Sequence, residues 1–556
     1  MVRNIAGKRT FLSDADRALP WLIAILLAGF GLLRFVYLKA DFPTGFPLAL
    51  GVKGMLYTDE GWWSRNAVTW VREGRWYLDD GYNPMVNLPV LPLLQMVWFK
   101  LFGISLATAR ALTATATVAV SGLVYAFARR EISPKWAWLA PFLVVSNYAI
   151  FAFSRLALLE MPMLLLMLIS LWLASLGSRS SISTVLCSAA VFVGAALTKT
   201  TALFALPLLV LVVYRQPKSL QTKIRHALIW LLCFGLLYCS YHVFFVQAKA
   251  ESYEYFSSYN LSGKLIHKTL LSYVDGPARA LRRSFQLFPV LFPCLLVSIV
   301  LLAKHAVYRR SFLFMVALLW LGLSMVAFSA SNYAPPRYFV VLIVPMALAI
   351  PLAMQLLFSS DFAAGRAAYG VVSPHRLDRS PSDRHISSDR HISSDCYIPS
   401  DRYRQSSVWK AWLMGVAVAG AIALSLVRTA LYLQNPDFSF NNMAKAVSAH
   451  VASHSHTSTV VMGAFADSLA LAAPIKAIND DMGFRSLSHR LEVFDPGYYL
   501  FVGPIQEAGT IQDFDYEAPR VLPEHYALEP IDTFDVFQNR IYPKPVFLYR
   551  LTAKSK

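Results

Sequence analysis

The sequence predicts an α-helical polytopic membrane protein with a small α/β domain near its C-terminal end, on three observations. Charged residues make up 15% of the 556 positions and hydrophobic residues 56%, where a soluble domain carries about a quarter charged. The apolar residues gather in runs of about 20, the length that crosses a bilayer, and the mean hydropathy is +0.47. After residue 433 the runs stop and short strand- and helix-like stretches replace them. This balance excludes a soluble globular enzyme, a disordered chain and a nucleic-acid-binding module. The net charge of +18 fits the last only in total, because apolar runs separate the basic residues as membrane spans separate cytoplasmic loops.

Eleven spans read from the sequence, roughly 20–38, 105–128, 136–153, 158–177, 183–198, 201–214, 226–246, 287–303, 311–330, 337–357 and 409–433. The short runs 183–198 and 201–214 predict a tight helical hairpin. No small-residue cleavage site follows the first run, and Arg34 and Lys39 do, so it reads as a retained span and not a signal peptide. Short-loop charge sets the orientation. Arg129, Arg130 and Lys135, then Arg179, then Arg215, Lys218, Lys223 and Arg225, then Lys304, Arg309 and Arg310 fall on one side with the basic N-terminal tail. That side is expected to be cytoplasmic, which places the N-terminus inside and the C-terminus outside. Cys187, Cys233, Cys239 and Cys294 lie inside apolar runs and read as packed thiols.

Three segments read as lying outside the spans. Segment 40–104 is rich in Trp, Tyr and Gly, and its Pro-punctuated 87–103 portion predicts an interfacial helix. Segment 358–408 carries a polar hexad four times, starting at Ser382, Ser388, Ser394 and Ser400. Such repeats bury no core and predict a disordered cytoplasmic insert. Segment 434–556 predicts an extracytoplasmic α/β domain, with strands at 460–465, 498–502 and 545–551 and a helix at 467–473. The membrane unit is expected over 1–357, with the last span at 409–433.

Ionisable residues at membrane depth or at the interface are functional hypotheses. The predicted topology brings Asp59, Glu60, Arg155, Glu160, Lys199 and Arg337 to the outer surface from five parts of the chain. Asp59 stands in Tyr57-Thr-Asp-Glu-Gly-Trp-Trp, and Glu160 stands where the chain enters its fourth span. A partly desolvated carboxylate there can act as a general base. Glu160 paired with Arg155 as a loop staple, and Asp59 capping a helix that starts near Gly61, are the structural alternatives. Lys199, Arg337 and Arg155 can together hold a phosphate, Arg as a fork and Lys as a point charge; each taken singly also reads as a snorkelling residue, as Arg34 does. Trp62, Trp63, Trp70, Trp76, Tyr77 and Tyr82 suit stacking on sugar rings or an interfacial belt.

The order of these motifs is distinctive. Asp59-Glu60 is followed by Asn83-Pro, Pro89 and Pro92, then Trp98-Phe-Lys-Leu-Phe-Gly, Ala109-Arg-Ala-Leu-Thr, Ser154-Arg-Leu-Ala-Leu-Leu-Glu, Leu197-Thr-Lys and Pro336-Arg-Tyr. Over about residues 20–355 this resembles the GT-C superfamily of polyprenyl-phosphate-sugar glycosyltransferases, with protein O-mannosyltransferase-like and aminoarabinose transferase-like members nearest. The resemblance implies a membrane glycosyltransferase with a sugar donor on a polyprenyl phosphate. An acidic residue in the first outer loop, here Asp59 with Glu60 beside it, would deprotonate an acceptor hydroxyl that attacks with inversion. It places Glu160 near the acceptor or the base, and Lys199 and Arg337 at the donor phosphate. Two positions depart from the lipid A enzymes: Asn87 stands where they have a lysine, and Gly61, Trp62 and Trp63 stand where they have an arginine, Arg65 being the nearest.

The resemblance implies a lipid, glycan or protein acceptor, contact with membrane lipids and no nucleic acid. The chain has no Walker-type phosphate loop and no dedicated metal-ligand spacing. The expectation is therefore no resident cofactor or catalytic metal, with a single divalent ion at Asp59 and Glu160 left open. The expected location is a bacterial plasma (inner) membrane with the catalytic face outward. The alternative class is a multispan transporter or flippase of a lipid-linked or anionic substrate. It predicts two matching halves and midplane charges, and the sequence has no such internal repeat.

Overall fold

The computed structural model describes residues 14–42, 56–76, 84–176, 181–246, 270–331, 335–358, 400–454, 458–463, 465–480, 487–503, 518–536 and 545–554. Tyr77, Tyr82 and the first three hexad repeats lie outside them. The protein is mostly helical and is a multi-pass membrane protein, and its first four major helices are α1 (Asp14–Leu32), α2 (Leu56–Glu73), α3 (Val90–Phe102) and α4 (Leu106–Ala128).

Among the described residues, five helices are long and apolar enough to cross a membrane. They are α4, Leu220–Val246, Phe312–Ala330, Pro336–Phe358 and Trp409–Ser453, which takes in most of the long helix Ser400–Gln434 that contains the fourth hexad. Two further helix pairs become candidate spans when each is counted as one bent element. The first, Pro134–Ser146 and Tyr148–Ser154, bends by 53° where Asn147 turns extended and its Oδ1 accepts the Ile150 N–H at 3.1 Å. The second, Asp275–Leu287 and Leu291–Lys304, bends by 112°. Ile23–Phe35, α3, Glu160–Ala174, Ile182–Thr198 and Thr200–Tyr214 are shorter apolar helices.

Side-chain placement follows the solvent. The Pro336–Phe358 helix is buried along nearly its whole length and forms the centre of the bundle, whereas Leu228, Leu232, Leu236 and Phe244 leave the Leu220–Val246 helix open on one face. Lipid-facing leucines give no drive for helices to associate, so close contacts rely on small and polar residues. Ser170 Oγ donates to the Ser188 carbonyl at 2.8 Å, and Trp230 Nε1 donates to Ser188 Oγ at 3.1 Å. The cysteines correct a simple packed-thiol reading: Cys294 is buried, but Cys187 and Cys239 are exposed on apolar helices. Arg34 is likewise not a snorkelling residue. It is fully buried, and its guanidinium donates to the carbonyls of Phe30, Val144 and Val145, the last two in the turn ahead of the Asn147 bend.

Beyond the Ser439–Ser453 helix the chain builds one five-stranded sheet: β1 (Val460–Gly463), β2 (Lys476–Ile478), β3 (Tyr498–Val502), β4 (Tyr526–Phe534) and β5 (Val546–Ala553), in the order β2-β1-β3-β5-β4. β1 pairs parallel with β2 and β3, and β5 pairs antiparallel with β3 and β4. Alternation along the strands gives the sheet two apolar faces. Val460, Met462, Tyr499 and Phe501 pack on the local helices, while Val461, Tyr498, Leu500 and Leu548 join the core shared with the helical bundle. The Ala466–Ala472 helix connects β1 to β2 and packs lengthwise on α2. Gly463 ends β1 with φ +150°, where a Cβ would lie 2.4 Å from the Leu500 carbonyl oxygen.

Candidate active site

Four of the six ionisable residues singled out in the sequence meet in one cluster. Asp59 lies in the first turn of α2, which begins at Leu56 and not near Gly61, so its side chain is not a cap at that position. Glu160 is the first residue of the Glu160–Ala174 helix, and Lys199 follows the last residue of the neighbouring Ile182–Thr198 helix. Arg337 opens the 3-10 turn Pro336–Leu342 that leads into the central helix. Pro335 and Pro336 suit that entry, because a proline-fixed φ is compatible with a first helical turn and needs no amide donor there.

The four side chains form an alternating chain of charge. Arg337 Nη1 pairs with Asp59 Oδ2, and Arg337 Nε lies 3.2 Å from Glu160 Oε1. The same Glu160 oxygen accepts from Lys199 Nζ at 2.5 Å. Lys199 Nζ stands 3.8 Å from the centre of the Tyr338 ring, close enough for a cation–π contact. All four residues are at most 7% exposed. Burying two carboxylates and two cations costs several kcal/mol per ion unless they pair closely. Burial pushes the Asp59 carboxyl above its usual range, with Arg337 opposing that shift. Chemically the cluster sets a carboxylate that can accept a proton beside two cations that can bind an anion.

Glu60 and Arg155 point elsewhere. Glu60 is fully buried and takes a two-bond fork from Arg110, Nε to Oε1 at 2.8 Å and Nη2 to Oε2 at 2.7 Å, and also accepts the Ala157 N–H at 2.7 Å. Arg110 Nη1 donates in addition to the carbonyls of Leu38 and Ala40 at 2.8 and 2.5 Å. Glu60 thus fastens α2 to α4, to segment 38–40 and to the turn before Glu160. Arg155 donates to the carbonyls of Leu33, Arg34, Val36 and Tyr37 and to Tyr432 Oη, gathering the backbone of the turn that follows α1. It does not pair with Glu160, whose cations are Lys199 and Arg337. Arg65 is drawn to Asp467, and Asn87 is buried shortly ahead of α3.

Arg110 is the residue that sequence reasoning passed over. It lies near the start of the apolar run 105–128, whereas Arg155 was singled out by its place in a short outer connection, and it appears in the Ala109-Arg-Ala-Leu-Thr motif without a role. The Trp-rich segment supplies one described stack, Trp70 on Trp76 at 4.7 Å, with Lys100 Nζ 5.7 Å from the Trp70 ring.

Residues 84–244 match the family of dolichyl-phosphate-mannose-protein mannosyltransferases. Among curated proteins none matches the chain by sequence. The structure is similar to that of ArnT from Cupriavidus metallidurans bound to undecaprenyl phosphate, with a TM-score of 0.57 and 15% identity over 97% of this chain and 100% of that one. It is also similar to the oligosaccharyltransferase of Archaeoglobus fulgidus in its apo form, with a TM-score of 0.52 and 12% identity over 93% of this chain and 74% of that one. The chain therefore has the fold of the GT-C glycosyltransferases.

Proposed function

We propose that the protein is a membrane glycosyltransferase that moves a sugar from a polyprenyl-phosphate carrier to an acceptor hydroxyl. In this reading eleven segments cross a bacterial plasma membrane, the N-terminus lies inside, and the Asp59 cluster and the C-terminal sheet lie outside. The observation that carries it is the buried Asp59–Arg337–Glu160–Lys199 chain, on a fold shared with a protein bound to undecaprenyl phosphate.

Asp59 takes the proton of the acceptor hydroxyl while that oxygen bonds to the anomeric carbon. The bond from that carbon to the phosphate oxygen breaks, and its electron pair leaves with the lipid phosphate. Attack opposite to departure inverts the carbon. Once the donor phosphate has drawn Arg337 from Asp59, Lys199 and Arg337 already face it, so their charge meets the growing charge on the phosphate without further reorganisation in the transfer step. Glu160 holds the two cations in place between turnovers, and Glu60 and Arg155 hold the segments around them.

Without donor, Arg337 is shared by Asp59 and Glu160. A donor phosphate competes for that guanidinium and frees Asp59 to accept a proton, which couples base release to donor binding. The test is transfer of labelled sugar from a panel of polyprenyl-phosphate donors to membrane acceptors, with wild type beside equally expressed Asp59→Asn. Transfer by wild type and none by the variant supports the reading. No transfer from any donor by folded wild type, with acceptors present, would put the transporter reading in its place.

A further inference from the structure

The helix that carries the proposed base has two working faces. At about 100° per residue, Gly61, Arg65 and Arg72 of α2 fall within about 40° of one another, and Asp59 lies about 160° from Gly61. Asp59 faces Arg337. The opposite face grips the Ala466–Ala472 helix at both of its ends. At one end the Gly61 N–H donates to Ser468 Oγ at 3.0 Å and Arg65 pairs with Asp467, a pair in which neither side chain is more than 4% exposed. Arg65 Nη2 also donates to the Ala477 carbonyl of β2 at 3.3 Å. At the other end Arg72 donates to the carbonyls of Ala470, Ala473 and Ile475 at 2.7, 3.2 and 2.9 Å, at the end of the helix and just past it.

The two backbones meet at Gly61. A Cβ there would lie 2.2 Å from the Ser468 amide nitrogen and 2.4 Å from the Asp467 carbonyl carbon. Those are backbone atoms, which cannot swing aside as a side chain can, so α2 sits against the Ala466–Ala472 helix at a fixed distance. Asp59 is two residues from this contact.

We infer that the Ala466–Ala472 helix is a positioning element: through Asp467 and Ser468 it holds α2 from behind and sets the Asp59 carboxylate against Arg337. The inference rests on Asp59 being the base. It gives the C-terminal sheet module a part in the rate of the chemical step, which follows from the grip on α2 whatever acceptor is used. Asp467 and Ser468 touch no reacting atom in this account. Their effect passes through the placement of one carboxylate.

The test measures kcat, donor KM and the pH profile of kcat/KM for full-length wild type, Asp467→Asn, Ser468→Ala and Asp59→Asn, using the labelled polyprenyl-phosphate sugar that wild type transfers. Loosening α2 by about 1 Å is expected to lower kcat of Asp467→Asn about 100-fold with donor KM unchanged. The acid limb of its profile moves from its wild-type position, because a displaced Asp59 meets differently both the burial that raises its carboxyl and the Arg337 that lowers it. Lower activity from a smaller folded fraction would leave that limb where it is. If Asp467→Asn does not fold, Ser468→Ala carries the test, since it removes one hydrogen-bond acceptor; the expected drop is about 5-fold with the same shift of the limb. Wild-type kcat and limb in the folded variants, with Asp59→Asn inactive, would overturn the inference and leave the proposed reaction standing. A lower kcat without the shift, or with raised donor KM, would overturn it as well. Transfer by Asp59→Asn at the wild-type rate would remove Asp59 as base, and the inference with it.

Discussion

Arg337 bridges Asp59 and Glu160: its Nη1 binds one carboxylate and its Nε lies 3.2 Å from the other. One guanidinium therefore neutralises the proposed base and is also the group best placed to meet a phosphate. Lys199 needs no such exchange, because its Nζ is already on Glu160 and over the Tyr338 ring. The two cations are thus distinguishable by experiment.

Lys199→Met is expected to lower kcat about 100- to 1,000-fold, the range for losing one preorganised group that stabilises developing charge. Arg337→Lys keeps the charge but cannot span both carboxylates, so it should lose rate while retaining part of the donor affinity. Steady-state kinetics with a defined polyprenyl-phosphate donor check both. Wild-type kcat in Lys199→Met would remove that residue from the donor phosphate.

The pH profile carries a signed expectation. Asp59 acts as a base only when ionised, and burial raises its carboxyl above the ordinary range of about 4. The rate should therefore rise with pH through a limb lying above that value. Arg337 pulls the carboxyl down, so Arg337→Gln should move the limb further up in pH. A limb that stays fixed in that variant would show that the group titrating in kcat/KM is not Asp59.

The Glu60–Arg110 fork is expected to govern stability. Arg110→Met leaves a fully buried carboxylate with, among the described residues, the Ala157 amide alone, and breaking a buried pair by removing one partner costs about 3–5 kcal/mol. Unfolding in detergent should register this as a large fall in the midpoint. Glu60→Gln should cost less, because the neutral amide still accepts from Arg110.

Asp41 predicts a pH-dependent stability. Burial, with help from Asp437, raises its carboxyl to about 7, although the Ser439 hydroxyl and the Phe440 amide donate to it. A raised folded value means that the folded state holds the proton more tightly than the unfolded state. That contribution is full below the unfolded value of about 4 and is lost as pH rises through about 7. Asp41→Asn should melt higher than wild type at about pH 8 and show a flatter stability profile towards about pH 5. Parallel melting curves for the two proteins across that window would contradict the assignment.

Particular residues show what the sequence could and could not reveal. Long apolar runs such as 106–128 and 312–330 are legible because lipid leaves the backbone no other partner than its own helix. The bend at Asn147 is not, since it falls inside a run that reads as one span, 136–153, and the bend between Leu287 and Leu291 lies where the charged 275–286 stretch gives way to an apolar run, which marks a boundary but not its angle. Tyr498–Val502 reads as a strand from its aromatic and branched residues. Lys476–Ile478 is too short to register, and Tyr526–Phe534 is masked by Glu529, Pro530 and Asp532, as an edge strand with an irregularity between Pro530 and Asp532 tolerates. A charge beside an apolar run announces that a partner exists without naming it. Asp59, Glu160, Lys199 and Arg337 find one another, while Arg155 and Arg110, with the same signature, go to backbone carbonyls and to Glu60. The contact of Arg65 with Asp467 spans 402 residues, and no local pattern encodes it.

The most direct test of the central claim separates donor binding from transfer in Asp59→Asn. Binding of the polyprenyl-phosphate sugar is measured at equilibrium, and transfer to acceptor in a single turnover with enzyme in excess. The account predicts donor affinity at or above that of wild type, because Arg337 no longer has to leave a carboxylate, and a transfer rate reduced about 100- to 10,000-fold for want of a base. Transfer at the wild-type rate in the folded, donor-bound variant would contradict it.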